Sequence, residues 1–329
     1  MSADRIAAAF VDNCSGTCPP GPSMSDNLFL SDVGLTLQSG AVPADPLVAE
    51  YCQASRAANT RRAYAADLVE FERWGGRLPS TPEQVAKYLA HSATSLRPST
   101  LRRRLAALAS AHHDAGMPDP TKARIVLQVM HGIERRHGTH PKQVEPLLLD
   151  DLARIVALMG SSLPNLRDRA LLLLGFFGAL RRSEIVALNF DDVRFRQGGL
   201  DLVIRKSKTD QLRASRRVHL LYPTAALDPG LALKAWLVQS GIREGPIFRD
   251  ASLLTRLSDR AAARIVKKWV SAVGLPAKTF SGHSLRAGFA TSAALAGVNA
   301  TIIAQQTGHR SQQTVAAYVR LAANIRDNP

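Results

Sequence analysis

Between residues 279 and 320 the chain carries His283, Arg286, His309 and Tyr318, in that order. About a hundred residues upstream, Ala179-Leu180-Arg181-Arg182-Ser183-Glu184-Ile185 turns an apolar helical run abruptly into charge. Arginine offers a planar, permanently charged fork of donors that matches an oxyanion such as phosphate. Imidazole donates hydrogen bonds or moves protons near neutrality. His283 and Arg286 lie at i and i+3, one above the other on a helical face. Each piece also has a blander reading. Arg181 and Glu184 make an ordinary surface ion pair, a single histidine is usually structural, and Tyr318 beside Val315 and Val319 reads as a core tyrosine. Taken together, the residues read as a set that meets around one phosphate, with Glu184 orienting Arg181.

The charge of the chain says whose phosphate. Lys and Arg number 42 against 27 Asp and Glu, a formal net charge of +15. Residues 1–44 contribute −3, so the remainder carries +18. Such an excess points to a polyanion, and nucleic acid is the common one, because each neutralised phosphate releases counterions. Arg61-Arg62 and Arg102-Arg103-Arg104 open two helical patterns. Cations at a helix N-terminus oppose the macrodipole, so local stability does not explain them, and they are read as DNA-backbone contacts.

Other classes recede. Three cysteines, Cys14, Cys18 and Cys52, make no disulfide framework, and Cys14-x-x-x-Cys18 lacks the further ligands of a zinc site. Neither metal nor cofactor is expected. No run is long enough to span a bilayer, and Ile6 to Val11 is too short for a signal peptide, so a cytoplasmic or nucleoid-associated protein is expected, without a membrane partner.

The elements that must position these residues follow from periodicity. Residues 1–44, rich in Ser, Gly, Pro and Asp, read as a flexible arm. Residues 45–139 read as a helical domain. One helix is capped at Asn59-Thr60 and carries Tyr64, Leu68, Phe71 and Trp74. A second opens at Thr81-Pro82-Glu83-Gln84, with Val85, Tyr88 and Leu89 inward. A third is capped by Ser99 with a Leu101, Leu105, Leu108 stripe, and a fourth has Ile125, Val129 and Ile133 inward. Residues 140–147 read as a proline-bracketed linker, and 148–329 as a mixed domain. Its helices cover 148–159 and 166–179. Three short strands follow at 193–196, 200–205 and 216–220, and helical patterns resume near Ala225 and at 260–273. The fold class expected is mainly α with a small β-sheet.

Arg181, His283-x-x-Arg286, His309 and Tyr318 resemble the Arg…His-x-x-Arg…His/Trp…Tyr signature of the tyrosine recombinases, the phage integrase family. Arg181 and Arg286 are 105 residues apart, Arg286 and His309 are 23 apart, and His309 and Tyr318 are 9 apart. Ala-Leu-Arg-Arg-Ser-Glu-Ile, His-Ser-Leu-Arg-Ala-Gly-Phe-Ala-Thr and Thr-Gly-His-Arg-Ser look like family boxes. Ala287 departs from the pattern, standing where many members carry a second histidine. The resemblance covers about residues 45 to 325 and implies a helical core-binding (SAM-like) domain followed by a mixed α/β catalytic domain.

The resemblance also implies roles. Tyr318 attacks a scissile phosphorus, Arg181 and Arg286 hold the phosphoryl oxygens, His309 adds a hydrogen bond, and His283 is the general base. Lys208, in the Ser-Lys-Thr phrase between the second and third strands, is implied as the acid that protonates the leaving 5′-oxygen, with Lys206 as runner-up. The implied partner is double-stranded DNA bearing specific sites. It is bound by a homotetramer on two duplexes that is a monomer or dimer off DNA, without metal or ATP. A type IB topoisomerase-like enzyme and a non-catalytic DNA-binding protein of the same fold are the alternatives.

Overall fold

The computed structural model describes residues 45–139, 144–205, 215–221, 224–309 and 311–327. They fall into two compact units, one holding the described residues up to 139 and the other those from 144 onward.

The first unit is helical: α1 (Pro46–Ala54), α2 (Ala58–Arg73), α3 (Pro82–Ser92), α4 (Pro98–Asp114) and α5 (Arg124–His137). Phe71, Val85, Tyr88, Leu89, Leu101, Leu108, Val126, Met130 and Ile133 form its core. Each such side chain contributes about 1.5–3 kcal/mol by leaving water. Phe71 and Tyr88 pack edge to face, their ring centroids 4.9 Å apart.

Three sequence expectations shift by one or two residues. α5 buries Ile133 as expected and keeps Val129 partly buried, but Val126 and Met130 join the core while Ile125 is exposed. α4 is capped at Arg97 rather than Ser99, because Pro98, with its fixed φ and missing N–H, takes the first helical position. α2 starts at Ala58, and the Asn59 side chain accepts from Arg62 instead of capping the backbone. The cap at Thr81 is as read, its hydroxyl accepting from the Gln84 N–H at 3.3 Å.

The second unit contains α6 (Leu149–Leu158), α7 (Leu163–Phe177), α8 (Arg182–Ala187), the strands β1 (Val193–Arg196), β2 (Gly199–Ile204) and β3 (Arg216–Leu221), then α9 (Pro229–Ser240), α10 (Asp259–Ala272), α11 (Ser284–Leu295), α12 (Ala300–Thr307) and α13 (Gln312–Asp327). The strands form an antiparallel meander in the order β1-β2-β3, with Val193 opposite Leu202 and Leu202 opposite Val218. The long apolar run predicted to be buried is α7, which packs against α9 and α11. A second small cluster of Ala290, Ala293, Ile303, Val315 and Ala322 lets α11, α12 and α13 approach closely. On α13, Val315 is buried but Val319 is 39% exposed, so only one of the two valines lies inward. No described helix is long and apolar enough to cross a membrane.

α11 is held from outside by the chain entering the unit. Leu147 N–H donates to the Ser284 carbonyl at 3.0 Å, and Leu149 N–H to the Ser292 hydroxyl at 3.1 Å. Gly288 makes this approach possible: a Cβ there would lie 1.8 Å from the Leu147 carbonyl oxygen. Arg286, two residues before it, is carried by the same anchored helix.

Candidate active site

Four elements of the second unit end at one place. α7 stops with the Ala179 N–H bonded to the Phe176 carbonyl (2.9 Å) and the Leu180 N–H to the Gly175 carbonyl (3.1 Å). This is a helix-ending pattern whose left-handed position normally falls to glycine. Here Ala179 takes it, at φ 45°, at a cost of about 1–2 kcal/mol. Its carbonyl accepts from Arg286 Nη1 at 2.9 Å. Arg181 then caps α8. Its backbone N–H donates to Glu184 Oε2 (2.9 Å) and its Nη1 to Glu184 Oε1 (2.6 Å). Glu184 is 2% exposed, so its oxygens are committed to this arginine and to the nearby Arg216, whose Nη2 is 3.7 Å away.

Arg286 is the unusual member. It is fully buried, yet its Nε and Nη2 meet no hydrogen-bond partner among the described residues. Burial, followed by the charge of Arg181, pulls its pKa down to about 10. It remains a cation at neutral pH with two donors unspent. A buried unpaired donor costs about 1–3 kcal/mol, so these two nitrogens gain by meeting an acceptor brought to the site.

Tyr318 rises from α13 into the same place, half-buried, with its Oη 3.3 Å from His283 Nε2. Burial pushes the phenol above its ordinary pKa, while Arg286 pulls it back. His283 is exposed at the head of α11. Crowding by the fold, then the charges of Arg286 and Arg181, lower its imidazole pKa. At neutral pH it is therefore a neutral imidazole beside a protonated phenol.

His309 follows α12, which ends on Gly308 in the left-handed conformation at φ 63°. Its ring lies 5.9 Å from that of Tyr318, and its Nδ1 is 2.8 Å from the Thr307 hydroxyl. Burial comes first, and Arg286, Arg181, His283 and Arg216 add to it, taking the imidazole down to about 4.

The residues predicted at positions 181, 184, 283, 286, 309 and 318 are therefore brought together. Lys208 and Lys206 lie outside the described residues, as do Cys14 and Cys18. Among the described residues no three His, Cys, Asp or Glu side chains gather as a metal site. The predicted DNA-backbone arginines sit on α2 and α4 of the first unit, each engaged locally. Arg103 donates two hydrogen bonds to buried Asp67 (2.8 and 2.9 Å), and Arg102 pairs with Glu134. Arg104 turns inward to Asp67 and the Tyr88 hydroxyl, while Arg61 and Arg62 are exposed at the start of α2.

One site residue escaped the sequence reading. Arg216, the first residue of β3, donates its Nη1 to the Gln306 carbonyl at 2.5 Å and lies against Glu184 and Gly308. Burial lowers its pKa, Glu184 opposes that, and Arg181 adds to the lowering. The missed signal was register. Residues 216, 218 and 220 share one strand face, and Val218 and Leu220 are buried, so a cation stood at an inward position.

The Phage integrase family model matches residues 146–324, which is more than half of the chain and includes every site residue named above in the second unit. The chain belongs to the phage integrase family. A relative from Selenomonas ruminantium, described as an integrase/recombinase xerD homolog, is 37% identical over 289 residues, covering 83% of this chain and 85% of its own. The recombinase cre of Escherichia phage P1 is 27% identical over 273 residues, covering 74% and 76%. Among solved structures, that of the XerH site-specific recombinase bound to palindromic difH substrate matches with a TM-score of 0.59. It is 17% identical and covers 81% of this chain and 77% of that one, a likeness of fold. This phage integrase family member has the expected fold class, mainly helical with one small sheet.

Proposed function

We propose that this phage integrase family member, a site-specific tyrosine recombinase, cuts and rejoins duplex DNA through a 3′-phosphotyrosyl bond made by Tyr318. The observation that carries the reading is the buried, half-satisfied guanidinium of Arg286 within the group that includes Tyr318 and His283. Tyr318 Oη attacks phosphorus, and its proton passes to His283 Nε2. The P–O bond to the 5′ carbon breaks, and the leaving 5′-oxygen takes a proton from a lysine, Lys208 or failing that Lys206. The protein–DNA ester conserves the bond energy, so the 5′-hydroxyl of a partner strand reverses the step without ATP or metal.

The phosphoryl oxygens gain negative charge in the transition state. Arg181 and Arg286 meet it as planar donors, and His309 adds one more. Glu184 holds Arg181 in place. In the first unit Arg61, Arg62, Arg102, Arg103 and Arg104 supply the candidate backbone contacts. Their ion pairs leave Arg102 and Arg103 more than half exposed, at 62% and 51% of their side chains, and Arg104 at only 13%. The partner is double-stranded DNA carrying specific sites, and the assembly is a homotetramer on two duplexes.

The test is selection from duplexes of randomised sequence, each with a nick that prevents religation, for DNA retained on denatured protein. The reading expects wild type to retain DNA sharing one sequence, and Tyr318→Phe to retain none. Retention of the same DNA by Tyr318→Phe overturns it.

A further inference from the structure

Thr307 is completely buried at the end of α12, and its hydroxyl oxygen has three neighbours. The Ile303 carbonyl lies 2.6 Å away, the Ala304 carbonyl 3.3 Å away, and His309 Nδ1 2.8 Å away. A threonine hydroxyl has one proton to give and two lone pairs. Two oxygens 2.6 Å apart need a hydrogen between them, and a carbonyl cannot supply it. The Thr307 proton therefore points to Ile303, and a lone pair faces His309. Nδ1 must then be the donor. In the neutral ring the other nitrogen, Nε2, carries no hydrogen.

We propose that Thr307 is a positioning residue that holds the His309 proton on Nδ1, so that His309 donates to the scissile phosphate only after Nε2 takes up a second proton. The proposal rests on the reading of His309 as a phosphate contact. Among the described residues, the groups around this ring are Arg181 ahead of α8, Arg216 on β3, His283 and Arg286 at α11, and Tyr318 on α13. Burial and the three guanidinium groups oppose the second proton in the DNA-free protein, which agrees with the low pKa of about 4. A phosphate diester placed among them reverses that balance. Both N–H groups of the imidazolium are then satisfied, Nδ1 by Thr307 and Nε2 by the phosphoryl oxygen. A charge-assisted donor is the stronger one, and its charge arrives only with the substrate.

The third family box, which opens Thr-Gly-His, carries this information in its first residue. Gly308 supplies the left-handed turn that folds His309 back over the helix end. The hydroxyl at position 307 meets Nδ1 there.

The experiment is a long-range proton–nitrogen correlation spectrum of the full-length, DNA-free protein with 15N-labelled histidine, at pH 7, with His309 assigned by its loss in His309→Gln. Wild type and Thr307→Ser are expected to show the proton on Nδ1. Thr307→Val, equal in shape but without the hydroxyl, is expected to shift the population to the Nε2-protonated form. On a cleavable duplex Thr307→Val is expected to be slower on the order of tenfold, with Thr307→Ser close to wild type. A wild-type His309 protonated on Nε2, or a Thr307→Val protein that keeps the Nδ1 form, overturns the proposal. The spectrum needs no DNA, so its outcome stands apart from whether the protein recombines anything.

Discussion

Arg286 is tied down through one nitrogen only, its Nη1 donating to the Ala179 carbonyl at 2.9 Å, while the rest of its buried guanidinium waits without a partner among the described residues. The same relationship links the end of α7 to α11 and sets the donors in place before DNA arrives. Donors aimed in advance at developing charge need no reorganisation during reaction.

A group kept for a ligand is a liability without one. Arg286→Met removes a desolvated charge and two unmet donors, so the DNA-free protein is expected to be more stable by about 1 kcal/mol or more. Cleavage should fall by roughly a thousandfold. Sulfate or phosphate should raise the melting temperature of wild type and leave the variant nearly unmoved. Thermal melts of both proteins with and without the anion check the pair of effects.

Glu184 behaves oppositely. Burial pulls its carboxyl up, but the hydrogen bonds from Arg181 and the charges of Arg181 and Arg216 outweigh this and hold it below the ordinary value. Glu184→Gln leaves two arginines facing a neutral amide and is expected to cost about 3 kcal/mol of stability, read by denaturant melts. Adduct formation should drop along with it, because Arg181 loses the carboxylate that orients it.

Acid should loosen the DNA-free protein in a defined window. The folded-state pKa of His309 is lowered to about 4 from the ordinary 6.5. As pH falls from about 6.5 toward about 4, the unfolded chain takes up this proton first and stability is lost. The loss is about 1–3 kcal/mol for a half-buried ring. His309→Gln should flatten that part of the stability–pH curve. A phosphate in the site raises the pKa of the same ring, so DNA binding near pH 6 should take up protons. Calorimetry in buffers of different ionisation heat measures the uptake.

Two glycines predict opposite signs. Gly288→Ala drives a Cβ to 1.8 Å from the Leu147 carbonyl oxygen and should destabilise the second unit by about 3 kcal/mol or more. Gly132 lies on the exposed side of α5 with nothing within 4 Å of an added Cβ, so Gly132→Ala should stabilise the first unit by about 0.5–1 kcal/mol. Separate melting transitions, or hydrogen exchange within each unit, distinguish the two.

Much of this was legible in the residues. Strand starts at Val193 and Arg216 announce themselves by alternation, and His283, Arg286, His309 and Tyr318 are conspicuous because each is costly where it stands. What escaped depended on neighbours distant in sequence. Ile125 and Val126 satisfy the same periodicity, and only the packing of α5 chooses between them. Ser99 and Asn59 are good caps in isolation, but Pro98 and Arg62 claim those turns. Arg216 looked like one more basic residue until its strand face was known. Thr307 stood unremarked inside a recognised box because its value lies in a hydroxyl proton, which depends on Ile303 and His309 together.

The central claim is that Tyr318 Oη forms the bond to DNA, in the site where His283 Nε2 lies 3.3 Å away. Mass spectrometry of the peptide that stays joined to a selected, nicked duplex after proteolysis tests it directly. The account predicts a single peptide containing Tyr318, with the nucleotide linked through its 3′-phosphate to the phenolic oxygen. A linkage at any other residue, or through a 5′-phosphate, would contradict it.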